Sequence, residues 1–76
     1  MKATIYYNKN TGKIRCYCIA EVAQDMSFFG DDQEEMEEVL SYINIDYDTT
    51  IKTVLDNRNL FYVDPKSLII KQKQIV

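Results

Sequence analysis

Residues 3–21 read ATIYYNKNTGKIRCYCIAE, and this stretch decides the fold. Its β-branched and aromatic residues lie on both sides of a polar turn, which predicts two antiparallel strands over residues 3–8 and 13–21. The turn is Lys9-Asn10-Thr11-Gly12, in which Gly12 can adopt the left-handed conformation that closes a type I turn with a bulge. The chain is therefore predicted to begin with a β-hairpin.

Alternation along the second strand assigns its side chains to two faces. The predicted core face carries Ile14, Cys16, Cys18 and Ala20, and Val22 continues it beyond the strand. The other face carries Lys13, Arg15, Tyr17 and Glu21, with Ile19 as an apolar exception.

The two cysteines occupy the same predicted face of this strand. Residues two apart on a strand are about 6.6 Å apart along the backbone, whereas bridged Cβ atoms lie about 3.8 Å apart, so a disulfide between Cys16 and Cys18 is not expected. We expect buried thiols that act as small hydrophobic groups. The alternative is a zinc site shared between chains, since this chain has no histidine and no further cysteine to complete four ligands.

The strongest helix signal begins at Asp31. Asp31 as N-cap and Glu34 three residues later match a carboxylate version of the capping box. Apolar side chains follow at helical spacing, namely Met36, Val39, Leu40 and Ile43. Because residues 43–47 also alternate with period two, the sequence predicts a helix over residues 32–41 and then a strand over residues 43–47.

The last third predicts a short helix and a closing hairpin. Asp48 is the expected N-cap of a helix that carries Ile51, Val54 and Leu55 on one side and ends at residues 57–59. Strand-like runs at residues 60–63 and 67–73 flank Asp64-Pro65-Lys66-Ser67, where Pro65 suits position i+1 of a type I turn.

Together these elements predict an α+β fold in one domain, residues 1–76. We expect a small antiparallel sheet, formed by the N-terminal and C-terminal hairpins, packed against one amphipathic helix in a β-grasp-like order. No apolar run approaches the roughly 20 residues of a membrane span, so no membrane association is expected. The start of the chain lacks the apolar region of a signal peptide, which predicts a cytoplasmic protein.

Charge is distributed unevenly along the chain. Residues 1–20 contain four basic residues and no acid, and residues 21–50 contain ten acids and no base. Eight of those acids lie in or directly beside the predicted helix and the strand after it, namely Asp31, Asp32, Glu34, Glu35, Glu37, Glu38, Asp46 and Asp48. An acidic middle therefore separates two basic ends.

The acidic helix face has two interpretations. It is a solvated surface that keeps a small protein soluble, or it attracts a basic partner, in which case its carboxylates could imitate the phosphates of nucleic acid. Calcium binding is a weaker third interpretation, because the Asp-x-Asp-x-Asp-Gly pattern of a calcium loop is absent. No metal site is predicted.

Several classes of function lack their residues. The chain contains no histidine, the commonest general base, and its two glycines stand apart, so neither catalysis nor a phosphate-binding loop is predicted. We expect no enzyme and no cofactor. The acidic balance and the absence of basic–aromatic motifs also oppose direct nucleic-acid binding.

Aromatic residues offer candidate contact points. Most of the six tyrosines should cover the core, but Tyr6 and Tyr17 are predicted to face outward near each other on the first hairpin, where they could anchor a protein interface. Phe28 and Phe29 either staple the start of the helix or stay exposed as a docking point, and the staple is favoured.

Two segments resemble small proteins carried in prophages of Gram-positive bacteria. They are IYYNKNTGKI at residues 5–14 and FYVDPK at residues 61–66. The resemblance implies a phage setting, in which small acidic proteins serve as virion parts or as inhibitors of host defence, and it carries over no functional residue.

These observations lead to two functional hypotheses. The first is a non-catalytic binding protein whose acidic residues meet a basic protein surface, as a phage-encoded inhibitor of a host nucleic-acid-binding or defence protein. The second is a structural subunit of a virion or tail that assembles with itself or its neighbours through aromatic contacts and strand edges such as residues 69–76.

Overall fold

The computed structural model describes residues 1–74. Its strands are β1 (Lys2–Asn8), β2 (Ile14–Ala20), β3 (Leu40–Asp46), β4 (Phe61–Val63) and β5 (Ile70–Gln72). Its α-helices are α1 (Gln33–Val39) and α2 (Thr49–Asp56), and 3-10 helices span Met26–Asp32 and Arg58–Leu60. The predicted α+β class and both predicted hairpins are confirmed.

Strand β1 lies at the centre of a three-stranded antiparallel sheet. The order is β2-β1-β3, so β1 pairs with its hairpin partner on one side and with β3 on the other. The hairpin turn has the predicted chemistry: the Gly12 amide donates to the Asn8 carbonyl at 2.8 Å, and φ of Gly12 is 79°. The Asn8 side chain accepts the amides of Asn10 and Thr11, which fixes the turn further.

A bulge in β2 changes which side chains share a face. Tyr6 is opposite Cys16 and Tyr7 is opposite Ile14, so Arg15 is the extra residue. Ile14 therefore lies on the opposite face from Cys16 and Cys18, and Val22 is 70% exposed, so the prediction that these side chains form one core face is wrong. Both faces of the sheet are covered, which also explains the apolar Ile19 on the supposedly outer face.

Two cores form, one on each side of the central sheet. The first contains Ile5, Tyr7, Ile14, Leu55 and Val63, so α2 and the second sheet cover that face. The second contains Tyr6, Met26 and Leu40, with the helical segment 26–39 packed over it. Each face of β1 is thus buried by a different part of the chain, and its residues 3–7 are all buried.

The C-terminal hairpin forms its own two-stranded sheet instead of joining the first one. The second edge of β1 is occupied by β3, and the hairpin meets the first sheet at its rim, where the Val63 amide donates to the Gly12 carbonyl at 2.9 Å. Its second strand is shorter than predicted, because Leu68 in the turn has a left-handed φ of 60° and pairing starts only at Ile70. The Lys71 ammonium and backbone amides bind the Asp64 carboxylate in this turn and lower its pKa to about 2.

The predicted helix over residues 32–41 is shorter and differently capped. The 3-10 helix ends at Asp32, and the Gln33 amide donates to the Gly30 carbonyl, so the helical turn before α1 replaces a side-chain cap at Asp31. Leu40 leaves the helix because it pairs with Asn8 of β1, so β3 begins three residues earlier than predicted. Val39 is 48% exposed, and the expected four-residue apolar stripe is split between helix and strand.

Helix α2 begins as predicted. The Asp48 carboxylate accepts a hydrogen bond from the Ile51 amide at 2.8 Å. Val54 and Leu55 are buried, and Leu55 belongs to the first core, against which Ile51 also packs. Within residues 1–74, no helix is long and apolar enough to cross a membrane.

Candidate partner-binding surface

The strongest candidate is the acidic segment, which we define as residues 31–38. It carries six carboxylates, and all six of these residues are exposed: Asp31, Asp32, Glu34, Glu35, Glu37 and Glu38. The first two end the 3-10 helix and the other four lie on α1. Between them, only Gln33 and Met36 are partly buried.

The lysines and arginines of the basic ends do not neutralise this segment. In the described part of the chain, the ion pairs join Lys2 to Asp46, Lys52 to Asp56 and Lys71 to Asp64. Within residues 1–74, the one side-chain hydrogen bond of the segment is donated by the Gln33 amide to the Glu37 carboxylate at 2.8 Å. Six carboxylates are therefore open to a charged partner.

Aromatic packing fixes the segment to the central sheet. The ring of Tyr6 stacks on Phe28 with centroids 5.3 Å apart and meets Phe29 edge to face at 4.8 Å. Met36 packs against the same core from α1. Phe28 is nevertheless 46% exposed, so Phe28 and Phe29 anchor the helical segment while part of one ring faces solvent.

Asp46 and Asp48 are placed differently from the other predicted site residues. Lys2 binds the Asp46 carboxylate and lowers its pKa. Asp48 caps α2 through the Ile51 amide. Both residues are exposed, but Asp46 is ion-paired with Lys2 and Asp48 accepts a backbone amide, so these two residues are not open to a partner in the way that the acidic segment is.

The prediction that Tyr6 faces outward is wrong. Tyr6 is fully buried, its hydroxyl donates to the Asp25 carbonyl oxygen at 2.8 Å, and burial raises its pKa to about 12. Its side chain lies on the opposite sheet face from Tyr17, since Tyr17 is opposite Ile5 in the pairing. Tyr17 is half-buried against the first core, with the Arg58 guanidinium 5.7 Å from its ring centroid. The two tyrosines therefore do not form a common contact surface.

Two open cavities were not predicted from the sequence. One, of about 270 Å³, lies beside the acidic segment and is lined by Asp25, Met26, Ser27, Gln33, Glu37 and Tyr42. The larger, of about 460 Å³, lies where the two hairpins meet and is lined by Thr11, Lys13, Tyr62 and Lys73. The residues that line the larger cavity are up to 62 positions apart in the sequence, so no local sequence pattern brings them together.

Both cysteines are free thiols that pack, half-buried, against the second core, as expected from their shared face. Burial raises the pKa of the Cys16 thiol, against the opposing effect of Arg15 and Arg58. In the part of the chain that the structure describes, no three acidic, cysteine or histidine side chains are grouped as they would be to hold a metal ion.

Comparisons of the chain with protein-family models, with curated proteins and with solved structures gave no match.

Proposed function

We propose that this protein is a non-catalytic binding protein that presents the acidic segment to a basic protein surface. The observation that carries the proposal is the exposure of six carboxylates that no lysine or arginine of residues 1–74 neutralises. Such a field speeds the encounter with a basic partner and discriminates against acidic ones.

The packing of the acidic segment on the central sheet supports the same function. Its backbone belongs to helical turns that aromatic packing fixes on the sheet, so binding need not order a flexible loop. The smaller cavity beside the segment adds a recess that is lined by both Glu37 and Tyr42. A lysine or arginine side chain of the partner would find both an ion-pair partner and an aromatic ring there.

The partner class we favour is a protein that binds nucleic acid. A row of carboxylates can occupy a groove that normally receives phosphates, which would make this chain a nucleic-acid mimic. The resemblance of residues 5–14 and 61–66 to prophage proteins suggests the setting, a phage-encoded inhibitor that acts in the cytoplasm of its host on a nucleic-acid-binding or defence protein.

A charge-matched pair of variants tests the proposal. The first variant neutralises α1 with E34Q, E35Q, E37Q and E38Q. The second makes the same change in net charge on exposed neutral residues elsewhere, with Thr50→Lys, Asn59→Lys, Gln72→Lys and Gln74→Lys. Both sets lie on the surface and should leave the fold intact.

Each protein is immobilised and exposed to an extract of a Gram-positive host, and retained proteins are identified by mass and then purified. We expect the wild type and the lysine variant to retain the same basic, nucleic-acid-binding protein and the glutamine variant to lose it. With the purified partner, association with the wild type should slow by roughly tenfold or more between low and high salt. Unchanged affinity of the glutamine variant, or binding insensitive to salt, would refute the proposal.

A structural subunit is the second candidate, and the open edge of β3 favours it. Among the strands of residues 1–74, β3 pairs only with β1, and its seven residues contain neither lysine nor proline to discourage edge pairing. The predicted C-terminal strand edge spans residues 69–76. Ile69 at its beginning is 58% exposed, and Ile75 and Val76 lie outside the described residues. Self-association in sedimentation that persists at high salt would favour this candidate.

A further inference from the structure

The larger cavity is built where the two hairpins join. Gly12 and Val63 approach so closely that a Cβ on Gly12 would lie 2.1 Å from the Val63 carbonyl oxygen. Next to this contact, Lys13 forms an isolated antiparallel β-bridge with Tyr62 of β4, and Tyr62 pairs on its other side with Lys71 of β5. Residues paired across strands share a face, so Lys13, Tyr62 and Lys71 form one row on the outer side of the second sheet.

Charge distinguishes the lysines around this cavity. Lys71 is bound by the Asp64 carboxylate at 2.9 Å. Lys13 and Lys73, which line the cavity, form no ion pair within residues 1–74. Two positively charged residues therefore line the cavity without an ion-pair partner in the described part of the chain.

The cavity wall itself is largely apolar. Its lining combines Tyr62 with the two lysines, whose long methylene stems are apolar. Thr11 also lines the cavity, and its hydroxyl oxygen accepts a hydrogen bond from the Lys13 amide at 3.2 Å. A volume of about 460 Å³ suits a small organic molecule better than a single inorganic ion.

We propose that this cavity binds a small organic anion with a flat apolar body, such as an aromatic carboxylate. The body would stack on the Tyr62 ring and the lysine stems, and the carboxylate would accept hydrogen bonds from Lys13 and Lys73. The site is separate from the acidic segment and does not depend on the function proposed for that segment.

Three probes separate the contributions of charge and apolar surface: 2-naphthoate, its uncharged analogue 2-naphthamide, and sulfate. Binding is followed at low ionic strength by amide shifts in ¹H–¹⁵N NMR spectra of the full chain. We expect 2-naphthoate to give saturable shifts at Thr11, Lys13, Tyr62 and Lys73, with the millimolar dissociation constant typical of about a dozen non-hydrogen atoms. Both 2-naphthamide and sulfate should bind at least fivefold more weakly.

Variants then test the two lysines. K13M with K73M keeps the apolar stems and removes both charges, and it should weaken 2-naphthoate about fivefold while leaving 2-naphthamide unchanged. The matched control, K9M with K66M, removes two exposed charges elsewhere and should retain the wild-type affinity.

Equal affinity of the wild type for naphthoate and naphthamide would overturn the proposal, even if a variant failed to fold. Shifts that map to other residues would do the same, as would an equal loss of affinity in the control pair.

Discussion

The hydroxyl of Tyr6 donates a hydrogen bond to the carbonyl oxygen of Asp25 at 2.8 Å. This bond joins the central strand to the residue that caps the 3-10 helix before the acidic segment, since the Asp25 side chain accepts the Ser27 amide. The buried tyrosine therefore positions the candidate binding surface without belonging to it.

Tyr6→Phe should destabilise the protein by about 1 kcal/mol, because the Asp25 carbonyl loses its partner in a partly buried place while the aromatic packing is kept. The measurement is urea unfolding followed by circular dichroism. Tyr42→Phe is the matched control, since Tyr42 is half-buried on the same face and its hydroxyl makes no hydrogen bond within the described residues. Equal midpoints for the two variants would contradict this role of Tyr6.

The same residue should make stability fall at high pH. Burial raises the pKa of Tyr6 to about 12 in the folded protein, whereas tyrosine in an unfolded chain ionises near about 10. Above the unfolded value, the unfolded chain loses this proton and the folded chain keeps it, so the free energy of unfolding falls as pH rises from about 10 to about 12. The contribution is fully present below about pH 10.

The check on this pH dependence is the difference in unfolding free energy between the wild type and Tyr6→Phe, since other titrating groups largely cancel in it. That difference should be constant from pH 7 to about pH 9 and then shift in favour of the variant. A difference that stays constant through about pH 11 would show that Tyr6 ionises normally.

Two features favour glycine at position 12, a positive φ and the close approach of the Val63 backbone. Gly30 has the first feature but not the second, so comparing the two glycines distinguishes their effects. Gly12 and Gly30 both have positive φ values, 79° and 57°, but only a Cβ on Gly12 would collide with backbone, at the Val63 carbonyl. Gly30→Ala should cost about 1–3 kcal/mol of stability from backbone strain alone. Gly12→Ala should cost more, because the two hairpins must also move apart.

Thermal unfolding of the two glycine variants gives the comparison. If Gly12→Ala were no more destabilising than Gly30→Ala, the close approach of the two hairpins at Gly12 would not contribute to stability.

Local sequence patterns predicted the elements whose signals are local. The turn at Gly12 and the Asp48 cap are decided by residues within a few positions of each other, and both were predicted correctly. Leu40 was assigned to a helix because its spacing from Met36 is helical. In the structure Leu40 instead begins β3, because it pairs with Asn8, which is 32 residues away in the sequence.

The candidate site was predictable to the same extent. Exposure of the acidic segment follows from its composition, and its six carboxylates were all named from the sequence. The burial of Tyr6 was not predictable, since it depends on the helical segment 26–39 covering the second face of the sheet. The cavity at Lys13 and Lys73 depends on pairing between the two hairpins, which no local pattern encodes.

Leu68 is the one residue with a side chain that has a left-handed backbone within residues 1–74. Its φ of 60° costs a residue with a Cβ about 1–2 kcal/mol, and the side chain is 51% exposed, so little burial offsets that cost. Leu68→Gly should therefore stabilise the protein by about 0.5 kcal/mol, even though glycine adds entropy to the unfolded chain.

Ser67→Gly is the matched control for this turn, because Ser67 is exposed and is not among the residues with positive φ. There glycine only adds unfolded-state entropy, so the variant should lose about 0.5–1 kcal/mol. Urea midpoints of the two variants should thus move in opposite directions from the wild type. Destabilisation by both would mean that the Leu68 side chain contributes more through packing than its backbone strain removes.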